Sequence, residues 1–184
     1  IPWARITPEG RQIAGFGTDH RALDHYDRLL DRALSLGLSP WLTLYSGEMP
    51  ARLADLGGWS HPDLIGRFAD FTDSVAARLG DRIAAFAPTA PMMEELWQGY
   101  LTGQAAPDFS GAARFLTALG GLAQASALSA TVWRGRASSE IFLACDWGAA
   151  LPEDDREEFL AAATLFHALR HLSLPTLACE TDLP

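Results

Sequence analysis

The chain contains no lysine. All fourteen of its basic residues are arginine, they are outnumbered by 23 acids, and the net charge at neutral pH is −9. The arginines are scattered, so no basic stripe exists to track a phosphate backbone. Nucleic-acid binding, which needs clustered cations to release counterions, is not expected. Cysteine is scarce as well. Cys145 and Cys179 form no CxxC motif and no disulfide framework, which suits a reducing compartment and a cytoplasmic protein. No uninterrupted apolar run reaches the ~18 residues of a membrane span, and no basic stretch followed by an apolar core marks a secretory leader. The expectation is therefore no membrane partner. Ile1-Pro2-Trp3 reads as the interior of a strand, as if a natural start before it had been lost. There is no glycine-rich phosphate loop, no GxSxG elbow and no Cys/His pair with an evident orienting acid. His167 and His171 are spaced i, i+4 but have no third ligand or HExxH context, so neither a metal nor a cofactor is implied.

What is present is a core. Apolar residues make up 48% of 184 residues, enough for one domain over 1–184. Short apolar strands alternate with amphipathic helices. Trp3 to Ile6 reads as a strand, and 21–36 as a helix with Leu23, Tyr26, Leu29, Leu30, Ala33 and Leu34 at three- and four-residue steps and Gly37 as its left-handed cap. Trp41 to Tyr45 reads as a buried strand and Pro50 to Leu56 as a helical turn. Residues 62–79 form a helix with Pro62 in the first turn, ended by Gly80. Further strands are expected at Ile83 to Ala87, Ile141 to Ala144 and Thr176 to Cys179, and further helices at 110–130 and 153–172. This alternation predicts an α/β fold with a parallel sheet.

From Pro2 to Pro107 the chain is similar to family 1 glycoside hydrolases, the β-glucosidase type of (β/α) barrel. Pro2-Trp3-Ala4-Arg5-Ile6-Thr7-Pro8-Glu9-Gly10 resembles the second barrel strand, S-W-x-R-I-x-P-x-G. Leu23-Asp24-His25-Tyr26-Asp27-Arg28-Leu29 resembles the next helix, and Gly37 to Tyr45 the third strand. Leu56-Gly57-Gly58-Trp59 matches the G-G-W beyond it. Phe68-Ala69-Asp70-Phe71 and Leu79-Gly80-Asp81-Arg82 match the helix leading to the fourth strand, and Gly99-Tyr100 and Ala106-Pro107 the loop after that strand. Each motif is weak alone; their order is what makes the resemblance specific. It implies a TIM-type (β/α) barrel with parallel strands and outer helices. A complete barrel takes ~250 residues, so this one is expected to be partial or shortened. Its open sheet is expected to be covered by a second copy or a partner chain.

The departures from the family pattern fall where the chemistry should be. After Tyr45 the family has H-W-D-L-P, whose His and Trp help line the sugar pocket. Here Ser46-Gly47-Glu48-Met49-Pro50 stands there. After the fourth strand the family has T-x-N-E-P, whose Glu is the general acid/base. Here the segment is Pro88-Thr89-Ala90-Pro91. An ungapped alignment puts Pro91 on the acid/base, and keeping the family's proline in register puts Ala90 there; neither carries a proton. A retaining glycosidase needs two carboxyl groups ~5–5.5 Å apart. Glu94 and Glu95 follow within a turn, but two acids in the first turn of a helix are explained by the helix dipole alone.

The nucleophile has three readings. A plain co-linear alignment ends at the sixth strand and contains none. In a second, Leu174 to Asp182 answers L-P-x-x-I-T-E-N-G and Glu180 is the nucleophile. In a third, Asp146-Trp147-Gly148-Ala149-Ala150 answers E-N-G-A-A and Asp146 takes that role. Glu180 and Asp146 are mutually exclusive catalytic candidates. In the family the arginine matching Arg5 holds the nucleophile ionised, as a nearby cation should. Tyr45, Glu48 and Trp97 join Arg5 as substrate-binding candidates. Trp97, Trp133 and Trp147 could each stack on a sugar, although buried packing is the simpler role for an aromatic ring, and Tyr45 reads as core rather than pocket. The functional expectation is a β-glucosidase-like chain, catalytically impaired, with a small β-glycoside as ligand. The alternative is an active or repurposed enzyme using Asp146 or Glu180.

Overall fold

The computed structural model describes residues 1–6 and 18–144. Helix α1 (Trp3–Ile6) is one turn long where a strand was expected. The reason is local. Ile1 N lies 2.9 Å from Thr43 O, as the first rung of a strand pairing would, but Pro2 has no N–H for a ladder. Arg5 N–H instead donates back to Pro2 O at 3.2 Å and closes a helical turn.

Helix α2 (His20–Ser35) begins where Asp19 accepts from the backbone N–H groups of Arg21 and Ala22, pairing donors that a helix start leaves open. It ends as expected at Gly37, with φ +73. Gly37 N–H reaches Leu34 O at 2.9 Å and Leu38 N–H reaches Ala33 O at 3.1 Å, the paired bonds of a left-handed cap. Strand β1 (Trp41–Tyr45) follows, then α3 (Ala51–Asp55), a 3-10 turn at Gly58–Ser60 and α4 (Asp63–Leu79). Gly80 does not end α4 in a left-handed conformation: its φ is −61 and a 3-10 turn runs straight on over Gly80–Arg82. A side chain is unwelcome there for a different reason, since a Cβ would come within 3.0 Å of the Ala137 methyl.

Strand β2 (Ala85–Thr89) lies parallel to β1 with Leu42 opposite Phe86 and Tyr45 opposite Thr89; the register skips Pro88, which has no N–H to give. After it come α5 (Met93–Leu96), a π-helical turn at Trp97–Leu101 and α6 (Ala112–Arg134), four residues longer at its C-terminal end than expected. Strand β3 (Glu140–Ile141) pairs parallel with β2 and stops before the expected Ala144. The expected helix at 153–172 and strand at 176–179 lie outside the described residues. The sheet order is β1-β2-β3, with α4 and α6 as the two crossovers, a run of strand–helix units with parallel strands and outer helices.

The core sits between sheet and helices. Trp3, Tyr45, Trp59, Phe68 and Phe71 form one aromatic cluster, with Trp3 stacked on Phe71 at 5.5 Å. A second stack joins Phe86 to Trp133 at 3.9 Å. Where α4 crosses α6, the buried hydroxyls of Thr72 and Ser129 pair at 2.8 Å. Helix α6 is long and apolar enough to cross a membrane by length and composition. Its buried residues, Phe115, Ala118, Leu122, Ala125 and Trp133 among them, face the core of this domain.

Candidate functional site

Barrel enzymes build their sites beyond the C-terminal ends of the strands. Here those ends are Tyr45 and Thr89, opposite each other in the register. Ala90 follows, its N–H held by Tyr45 O at 2.7 Å. Ala90 is half-buried and Pro91 exposed, and neither side chain has a proton to give.

A carboxyl does reach this end of the sheet, from α5. Tyr45 Oη donates to Glu95 Oε1 at 2.9 Å. Glu95 Oε2 lies over Gly47, 2.8 Å from where a Cβ on that residue would be. Burial pushes the Glu95 carboxyl above its ordinary range, and the Tyr45 hydrogen bond draws it partly back. Burial, and then the charge of Glu95, push the Tyr45 phenol far above its usual value. The Tyr45 ring is core, fully buried against Trp59 and Phe68, while its hydroxyl reaches Glu95 at the strand end. Glu94, the neighbour of Glu95, is exposed and accepts from Gln98 Nε2.

The other expected residues divide. Arg5 is exposed on α1 and has no ion pair among the described residues. The carboxylates expected to face it, Asp146 and Glu180, lie outside the described residues, as does Trp147. Glu48 is exposed, and its backbone carbonyl takes the Ala4 N–H at 3.4 Å. Trp97 is half-buried and edge-on to Phe115 of α6 at 6.1 Å. Trp133 is wholly buried, with its indole N–H on Ser139 Oγ at 2.7 Å, so it is a core residue. Among the described residues no three His, Cys, Asp or Glu side chains gather as a metal site.

The motifs that carried the resemblance touch one another. Tyr100 Oη accepts the Trp59 N–H at 2.8 Å and sits where any side chain on Gly58 would collide with it. That burial pushes the Tyr100 phenol up to about 12. A Cβ on Gly99 would in turn come within 2.7 Å of Ala106 O and 3.0 Å of Pro107 Cδ. G-G-W, G-Y and A-P are therefore one clamp, tying the segment after β1 to the segment after β2. Beside this clamp a groove of about 690 Å³ runs between α3, with Ala54 and Asp55, and the 103–109 loop, with Gln104 and Phe109. That volume falls within the range of small-molecule sites.

Comparison with known proteins agrees with this geometry. The family profile of glycosyl hydrolase family 1 matches residues 1–172. Rat (Rattus norvegicus) lactase/phlorizin hydrolase is 31% identical over 170 residues, which are 88% of this chain and 9% of that protein. Mouse (Mus musculus) Klotho is 35% identical over 116 residues, 62% of this chain and 11% of that protein. Among solved structures, β-glucosidase from Thermotoga maritima in complex with deoxynojirimycin superposes with a TM-score of 0.80 at 26% identity, covering 94% of this chain and 38% of that one. The chain thus spans a small part of the curated relatives and under half of that barrel.

Proposed function

Because the chain belongs to glycosyl hydrolase family 1, we propose that it forms the glycoside-facing strands of a family 1 barrel that holds a small β-glycoside without the family's own proton donor. One observation carries this reading: the residues that end β2 and follow it, Ala90 and Pro91, bear no carboxyl, and the Ala90 N–H is spent on Tyr45 O. General acid catalysis is worth ~10²–10⁴-fold, and without it only glycosides with very good leaving groups are cleaved. The clamp of Gly58, Trp59, Gly99, Tyr100 and Ala106-Pro107 keeps the strand ends in place, which favours a retained binding surface over a decayed scaffold. A fold is a platform and the site decides the chemistry.

The test is hydrolysis of p-nitrophenyl β-glucoside by the purified chain. Release of nitrophenol barely above the uncatalysed rate is expected. A turnover number in the ordinary enzyme range, ~1–10³ s⁻¹, would overturn the reading and redirect attention to a carboxyl pair that includes Asp146 or Glu180.

A further inference from the structure

Glu95 is in no ion pair among the described residues. Its carboxyl is brought to the C-terminal end of β1 by two features of this chain. Tyr45, the last residue of β1, ties down Oε1 at 2.9 Å. Gly47, two residues beyond, leaves open the space that Oε2 enters; with φ +102 it also holds a backbone conformation that side chains rarely adopt. Oε2 has no donor among the described residues. Oε2 is not among the buried side-chain atoms left without a partner; it is open to solvent beside the exposed Gly47, where a ligand hydroxyl can take the place of water.

We propose that Glu95 is the ligand-anchoring group of this site, with Oε2 accepting a hydroxyl of a neutral polyhydroxylated ligand, a small β-glycoside. This deepens the reading above and rests on it. A sugar hydroxyl can replace that water without bringing a second charge to be desolvated, as an amine or guanidinium ligand would. Tyr45 is the positioning residue. Its ring is fixed by Trp59 and Phe68, so its hydroxyl sets where the carboxyl stands. The anchor thus comes from the helix one turn past β2 instead of from the strand end itself.

The experiment is a saturation-transfer NMR titration of the full chain with methyl β-D-glucoside. The wild-type chain is expected to bind it, and Glu95→Ala to bind it about tenfold more weakly or worse, as loss of a hydrogen bond to a charged group implies. Tyr45→Phe keeps the ring and removes the tether, so it is also expected to weaken binding, and it decides the matter should Glu95→Ala fail to fold. Wild-type affinity in a folded Glu95→Ala, or in Tyr45→Phe if the former does not fold, overturns the role of Glu95 and leaves the glycoside-binding reading standing. No binding by the wild-type chain overturns both.

Discussion

At the scale of single residues, Glu95 shows how a carboxyl can cost stability and still be held. Its neutral form is favoured by burial, so its folded pKa lies above the unfolded value. For such an acid the stabilising contribution is fully present below the unfolded pKa and is lost as pH rises through the folded one. Glu95→Gln keeps the size and an acceptor for Tyr45 without the charge. The variant should match the wild type in thermal midpoint at acid pH and exceed it near neutrality, the gap opening as the wild-type carboxyl ionises. A gap that stays constant from acid to neutral pH would show that Glu95 is not titrating in a desolvated place. The sequence alone did not single out Glu95: two acids opening a short helix look like dipole partners. What sets Glu95 apart from Glu94 is Tyr45, fifty residues away along the chain.

At the scale of elements, the helices bear on one another through a few close approaches. Gly120 and Gly121 are adjacent in α6, yet they meet different surroundings. A Cβ on Gly120 meets nothing within 4 Å, whereas one on Gly121 would collide with the Trp59 carbonyl. Gly120→Ala is expected to stabilise the chain by about 0.5–1 kcal/mol, since glycine is a poor helix former. Gly121→Ala is expected to destabilise it by about 1–3 kcal/mol through overpacking. Urea unfolding of the two variants checks this, and equal shifts would mean that α6 does not press on the 3-10 turn at Trp59. Between α2 and α4 the contact is ionic: Arg78 reaches Asp24 and Asp27, and Arg82 reaches Asp27 and Asp31. The Arg78–Asp24 pair is exposed and contributes modestly, while Arg82 and Asp27 are half-buried against each other. The cap at Gly37 and the strand from Trp41 to Tyr45 were readable in the sequence, because each depends on residues within a turn of itself. The one-turn helix at Trp3–Ile6 was misread, because its apolar residues suited a strand and the missing N–H of Pro2 decided otherwise.

For the whole molecule, the described residues form a three-stranded parallel sheet with large apolar side chains exposed around the start of β1. Trp41 is 72% exposed at the start of β1, and Leu36 and Leu38 just before it are 60% and 58% exposed. Apolar side chains gathered in this way mark a contact surface more often than scattered ones do. We propose that a second copy of this chain covers this part of the molecule. Light scattering of the isolated chain should then give a mass above that of the monomer. A monodisperse monomer over a wide concentration range would rule out self-association and leave a different chain as the cover.

The sequence by itself determined the family, the alternation of strand and helix, and the absence of a carboxyl from Ala90 and Pro91. Those properties follow from local pattern and from residue identity at aligned positions. Only the tertiary structure decided that the buried Tyr45 turns its hydroxyl to Glu95, that the G-G-W, G-Y and A-P motifs form one clamp, and that Glu95 reaches the strand ends. Each of these joins residues far apart in the chain, and no periodicity records such a contact: it exists only once the sheet has brought β1 beside β2 and left a glycine where the carboxyl needs room.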